Sequence, residues 1–359
     1  MINLVFIGPF PPPHGGISVL NNDIYNYFFD NSSFQIIGKI NVSKDKNILT
    51  LLNQISLTLT SKPNVYFIQV NGSISYLREL SLIYYLKLKK QKVVIHLHAS
   101  IKRKKRNFPF NNNKWANRLL INNLVGKVDA CIFISVHILN EFKGLLKDSN
   151  IKKSYSIENF INVNAFKSTE NNENKMNILF LGRLSIDKGI NEIINILPFF
   201  LKYHPNVMFY LAGSINKSQL TFKENEVLEY HLNKNLIIYP PIFNEEKINF
   251  FSKGDIFIYP SHHEVFPVTL LEAMAASLPI ITTKVGINES IFTDNENCLY
   301  INIKDSEDLK NKLLTLISDG QLRVSMAQRN KEKAMKYDID LAMKDRKSTR
   351  LNSSHGKLS

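Results

Sequence analysis

Short apolar runs of strand type alternate with helix-period segments along most of this 359-residue chain, pause over residues 167–175, and then begin again. Strands separated by helical crossovers pair in parallel, and the helices cover both faces of the resulting sheet. The runs at 2–8, 34–40, 65–70, 93–97, 128–135 and 154–157 form one series. Those at 177–181, 207–212, 236–239, 255–260 and 279–283 form a second. Helical patterns fall between them, near 46–60, 73–90 and 188–203, with closing helices at 305–318 and 321–336. The alternation predicts an α/β chain of two doubly wound parallel-sheet domains, residues 1–165 and 176–344, with the polar, patternless 167–175 stretch as their boundary.

Composition is consistent with that. At 44% hydrophobic content the chain can fill two cores, and no window reads as a membrane-spanning helix or a secretory leader. Cys131 and Cys298 sit in apolar runs, without zinc spacing, and are expected as buried thiols in a reducing, cytoplasmic compartment. The net charge of +14 is uneven: nine Lys/Arg and no acid lie between Lys87 and Arg106. Such a patch suits an anionic partner, whether nucleic acid, an acidic substrate or a membrane surface. Lysines ending the 73–90 helix also complement its dipole, so a plain solvated face stays open as a reading.

The chemistry is densest in residues 259–286. The strand at 255–260 leads into a loop holding Glu264, then a helix over 268–277 holding Glu272, then a second strand. Pro267 suits the first turn of that helix, since it has a preset φ and no N–H to leave unpaired. Ligands of open parallel sheets bind beyond the carboxyl ends of the strands, where this loop sits. Glu264 could accept hydrogen bonds from sugar hydroxyls, and Glu272 from a vicinal pair such as those of a ribose. Acids so spaced also occur as ordinary solvated charges.

The wording of this stretch resembles the signature of the retaining, nucleotide-sugar-dependent glycosyltransferases of family 4, the group 1 transferases. Glu264-Val-Phe266-Pro-Val268-Thr-Leu-Leu-Glu272-Ala-Met-Ala-Ala-Ser-Leu-Pro279 matches it in register. Pro267 and Ser277 stand where the family has glycine; the first removes a backbone N–H from the donor side, and the second reads as a packing change. Gly182-Arg183-Leu184-Ser-Ile-Asp187-Lys188-Gly189 resembles the family's Gly-Arg-Leu…Lys-Gly segment and places two cations at a helix start. A surface salt bridge is the bland alternative for them. The loop from Gly8 through four prolines to Gly15-Gly16 resembles the family's Gly-Gly loop beside the donor phosphate. His96 and His98, alternate residues ending one strand, face the same way, and the resemblance favours His98 as the histidine beside the reacting sugar. Asn159 matches half of an Asn-Gly pair before the linker. Gly286-Ile-Asn-Glu289 resembles the later Gly-x-x-Glu, with Glu289 structural or near the nucleotide.

The resemblance implies the GT-B fold: two Rossmann-like domains facing a cleft, the acceptor mainly on the first and the nucleotide-sugar donor mainly on the second. It implies retaining, metal-independent transfer of a sugar from a nucleoside-diphosphate sugar to a glycan or lipid-linked acceptor, in bacterial surface polysaccharide synthesis. The basic residues 87–106 add the expectation of a peripheral contact with the inner face of the cytoplasmic membrane. Catalysis would fall to His98, Arg183, Lys188 and Glu264. Donor binding would fall to Gly16, Arg183, Lys188, Glu264, Phe266, Val268 and Glu272. No cofactor beyond the co-substrate and no metal is expected; Asp338-Ile-Asp340 is read as coincidental. A GT-B epimerase or phosphorylase is the alternative enzyme. A nucleic-acid-binding protein is the alternative outside enzymes, although the basic patch lacks interleaved aromatics. Residues 345–359 resemble translated sequencing adapter and are expected to stand in place of the family's last crossing helix.

Overall fold

The computed structural model describes residues 1–11, 16–43, 47–60, 64–70, 75–98, 114–166, 175–215 and 235–341. The chain divides into two compact units, Met1–Asn159 and Phe160–Ser359. The division falls ahead of the polar 167–175 stretch because the intervening residues bond to the second unit. Ile161 N–H donates to the Tyr337 carbonyl at 2.9 Å and Ile339 N–H returns to the Ile161 carbonyl at 2.9 Å. Asp338 Oδ2 accepts from Val163 N–H at 3.2 Å and its Oδ1 from Asp340 N–H at 2.9 Å, so Asp338 ties down backbone.

In the first unit the order is β1 (Ile2–Gly8), α1 (Gly16–Phe29), β2 (Phe34–Asn41), α2 (Ile48–Ser56), β3 (Val65–Val70), α3 (Ser75–Leu88), β4 (Lys92–Leu97), α4 (Lys114–Lys127), β5 (Ala130–Phe133), α5 (Val136–Lys143), α6 (Asp148–Ile151) and β6 (Ser154–Ser156). All six strands pair in parallel in the order β2-β1-β3-β4-β5-β6. The helix α4 had no counterpart in the sequence reading. Its Leu120, Ile121, Leu124 and Val125 are buried, but the asparagines and Gly126 among them blur the helical signal.

The second unit runs β7 (Met176–Leu181), α7 (Ile190–Tyr203), β8 (Val207–Ala212), β9 (Leu236–Tyr239), α8 (Asn244–Phe251), β10 (Ile256–Tyr259), α9 (Val268–Ala275), β11 (Ile280–Thr283), α10 (Asn288–Ile291), β12 (Leu299–Ile301), α11 (Ser306–Ser318) and α12 (Gly320–Ala334). Its sheet is also parallel throughout, in the order β12-β11-β10-β7-β8-β9. That is the doubly wound order of a Rossmann sheet: the chain builds outward from β7, then returns beside it with β10 and builds the other way. Strands buried on both faces read as continuous apolar runs, as β10 (IFIY) does.

Helix α9 ends two residues earlier than the sequence suggested, and its end explains Ser277. Leu278 N–H bonds the Ala273 carbonyl and Ser277 N–H the Met274 carbonyl, each at 3.0 Å, which is a Schellman closure. Ser277 is the left-handed residue that closure needs, with φ +59°. The glycine expected there would supply backbone freedom, so the position is a conformational matter rather than a packing one. Cys131 and Cys298 are free and buried, and burial pushes both thiols up. No helix among the described residues is long and apolar enough to cross a membrane.

Candidate functional site

In a doubly wound sheet the crevice lies where the strand order reverses, beyond the carboxyl ends of the two central strands. In the second unit those are β7 and β10, and both loops carry the charged residues singled out above. The loops meet backbone to backbone. Asp187 O accepts from His262 N–H at 3.0 Å and from Ser261 Oγ at 3.2 Å. Gly189, at φ +76°, lies so close that a Cβ would stand 2.1 Å from the Pro260 carbonyl oxygen. A side chain there would drive the two loops apart. Lys188 therefore sits in the loop, at the end of the single 3₁₀ turn Ile186–Lys188, and α7 starts only after the glycine.

Glu264 is the centre of this meeting. Its Oε1 receives Lys188 Nζ, the Tyr259 hydroxyl at 2.7 Å and Ser261 Oγ at 3.1 Å. Tyr259 is buried, and that burial, with the Glu264 charge second, raises its hydroxyl well above the usual phenol, so it stays a donor. Lys188 and Glu264 are only 12% and 11% exposed, so they make a nearly dry ion pair. Desolvation makes such a pair a poor stabiliser, which directs attention to its chemistry. Among the described residues Glu264 Oε2 has no hydrogen-bond partner.

Arg183 is half exposed, with Nη2 2.9 Å from Asp187 Oδ2. Burial alone would raise Asp187, but the Ser185 hydroxyl at 2.6 Å and the Arg183 and Lys188 charges hold its carboxyl below the usual range. The arginine is thus aimed by Asp187 while much of its guanidinium stays open. Beneath the loop, His262 Nε2 lies 3.1 Å from Glu192 Oε1, both side chains buried.

Glu272 lies one element further on, in α9, and is paired with Lys247 of α8. Burial raises its carboxyl, and the ammonium pulls partly against that. Val268 opens α9 directly after Pro267, which stands at the cap position rather than inside the first turn. The Phe266 ring is buried edge-on to Tyr337, leaving its backbone as what it can offer a ligand. Glu289 makes an exposed pair with Lys284 at 3.3 Å, of the kind that contributes little. Sequence reasoning missed Tyr259, Ser261 and Lys247. The first two lie within the stretch it singled out; nothing in the sequence pointed to the third.

Gly16 and His98 belong to the first unit. Gly16 begins α1, after a loop whose residues 12–15 are outside the described ones. His98 follows β4, its N–H on the Val70 carbonyl at 2.9 Å. It is buried, and desolvation lowers it to about 3, so the ring is neutral. Its Nε2 meets Gln69 Oε1, while Gln69 Nε2 lies 3.3 Å from His96 Nδ1. The two rings are 4.3 Å apart, on one side of the strand as expected. Of the basic segment between Lys87 and Arg106, Lys87 is engaged with Asp129 at 2.9 Å, and residues 99–106 lie outside the described ones.

Comparison with known proteins bears on the fold and on the family the chain resembles. The fold is GT-B: the Anabaena protein HepE, solved in complex with UDP, superimposes with TM-score 0.73 over 98% of this chain and 100% of its own, at 16% identity. Residues 163–333 match the model of the family described as glycosyl transferases group 1. The capsular polysaccharide biosynthesis glycosyltransferase CapM of Staphylococcus aureus is 25% identical over 182 residues, 50% of this chain and 47% of CapM. An uncharacterized glycosyltransferase of Methanocaldococcus jannaschii is 30% identical over 212 residues, 58% of this chain and 55% of that protein. The chain thus spans about half the length of the curated relatives it matches.

Proposed function

We propose that the protein is a retaining glycosyltransferase that moves a sugar from a nucleoside-diphosphate sugar to a glycan or lipid-linked acceptor, without a metal ion. The observation that carries this is the meeting of Lys188 and Glu264 where the loops after β7 and β10 touch. Relatives named as glycosyltransferases, and a protein of the same fold solved with UDP and with UDP and glucose, support the reading.

In the reaction the bond from the anomeric carbon to the diphosphate breaks and negative charge grows on the phosphate oxygens. Lys188 Nζ has protons beyond the one given to Glu264, and the open part of Arg183 adds a second cation. These fixed charges do the electrostatic work that a divalent ion does elsewhere. Glu264, held through Oε1, presents Oε2 to hydroxyls of the transferred sugar. Glu272 receives the ribose hydroxyls, and Gly16, Phe266 and Val268 offer backbone to the donor. A neutral His98 contacts the sugar by hydrogen bonding rather than by charge. The same reading puts the enzyme in surface polysaccharide synthesis on the cytoplasmic side, the basic segment between Lys87 and Arg106 touching anionic lipid.

A thermal-shift screen against UDP, GDP, ADP, CMP and their sugars, with and without magnesium, tests the donor site. One diphosphate raising the melting midpoint equally in both conditions is the expected result. A shift only with magnesium, or none at all, contradicts it. The anomer of the product, read by NMR, tests retention.

A further inference from the structure

The ion pair between Lys247 and Glu272 has no role in the reading above, and its geometry gives it one. Lys247 sits in the first turns of α8, and its Nζ meets Glu272 Oε1 across the gap to α9. The side chains are 18% and 7% exposed, so the contact is nearly dry. The other elements packed on α9 bring no competing charge to that carboxylate. Lys331 of α12 directs its ammonium to the Ala275 carbonyl at 2.7 Å and the Phe166 carbonyl at 3.0 Å, and neither β11 nor the turn Val163–Ala165 holds an ionisable residue. Among the described residues Glu272 Oε2 has no partner.

Glu272 thus repeats the arrangement at Glu264: one oxygen fixed by a lysine from another element, the other left to accept. A single ionised carboxylate oxygen can take two hydroxyl donors through its lone pairs. Without the ammonium, a carboxyl this buried would favour its neutral form, which donates from one oxygen and accepts less well.

We propose that Lys247 is a positioning residue of the nucleotide site, which orients Glu272 and offsets its charge so that Oε2 selects ligands bearing a ribose diol. This deepens the donor-site reading and rests on it. It predicts discrimination by the 2′-hydroxyl, because a site built around a hydroxyl rejects the analogue that lacks it.

The test uses UDP, GDP and ADP and their 2′-deoxy counterparts, with affinities of the full chain measured by calorimetry at pH 6.5 and pH 9. Wild type should prefer one ribonucleotide over its deoxy form by about tenfold, the scale of a hydrogen bond to a charged group. Lys247→Met should lose most of that preference and show more of it at pH 9 than at pH 6.5, the direction that burial gives Glu272 once its ammonium partner is gone. Lys247→Arg should keep it. A Lys247→Met protein with undiminished, pH-independent preference, or one that binds more tightly than wild type, overturns the proposal. Should the methionine variant lose its cooperative melting, Lys247→Arg decides alone: lost preference in that variant is then the contrary result. Wild type binding none of the six overturns the donor-site reading together with this inference. Wild type binding one of them with no effect of Lys247 removes only this inference.

Discussion

The two units are built alike and are chemically opposite at the ends of their strands. Each is a six-stranded parallel sheet whose order reverses beside its first strand, β1 against β3 in one and β7 against β10 in the other. Beyond the strands of the second unit stand ions: Lys188 on Glu264, Arg183 on Asp187, with Lys247 on Glu272 close by in the chain. At the corresponding end of β4 in the first unit stands a neutral cluster, the buried His98 and His96 bridged by the Gln69 amide. One fold plan therefore supplies either charge or neutral hydrogen bonding, depending on which side chains the strand ends and the loops after them carry. A phosphate needs the first kind of site and an uncharged sugar is served by the second.

Removing charge from the second unit should give the largest effect. Lys188→Met is expected to lower kcat/KM by about 10²–10³-fold, the scale of losing a transition-state donor. It should also lower the melting midpoint of the ligand-free protein, since it leaves Glu264 buried without its partner at a cost of about 3 kcal/mol. A variant that melts lower yet turns over normally would make the pair structural only. Glu272→Gln should act next, raising KM for the donor about tenfold with kcat little changed; an equal fall in kcat would move Glu272 from binding into chemistry.

The neutral side of the comparison predicts a pH effect. His98 is lowered to about 3 in the folded chain against an ordinary value of 6.5, so between those limits the unfolded chain binds the extra proton. Stability from this group is complete above pH 6.5 and is lost as pH falls toward 3. The melting midpoint of wild type should accordingly drop more steeply between pH 6.5 and 4 than that of His98→Asn. Parallel curves would mean that His98 is charged or solvated. The smallest effect concerns backbone alone. Ser277→Gly relieves a residue held at φ +59° and should stabilise by about 1 kcal/mol, a rise of a few degrees in the melting midpoint with unchanged KM.

Much of this was legible in the sequence because it depends on short spacing. Strand and helix periods gave both sheets, and the in-register stretch around Glu264 and Glu272 pointed to the loop after β10. What escaped depended on contacts between distant residues or on φ. Lys247 meets Glu272 across 25 positions, with nothing to mark it among the other lysines. The sequence leaves Arg183 open between a phosphate ligand and a salt bridge, and the structure shows the bridge to Asp187 with the guanidinium still half open. The glycine replaced by Ser277 looked like a packing change because sequence carries no direct sign of a left-handed residue. α4 escaped because asparagines interrupt its apolar stripe.

The central claim, that the donor nucleotide binds where the loops after β7 and β10 meet, is tested most directly by amide hydrogen exchange. The full chain, with a chelator present, would be compared with and without the diphosphate that shifts its melting. Protection concentrated in residues 182–192 and 260–272, and abolished by Lys188→Met, is the predicted result. Protection confined to other segments, or unchanged by the substitution, would contradict the account.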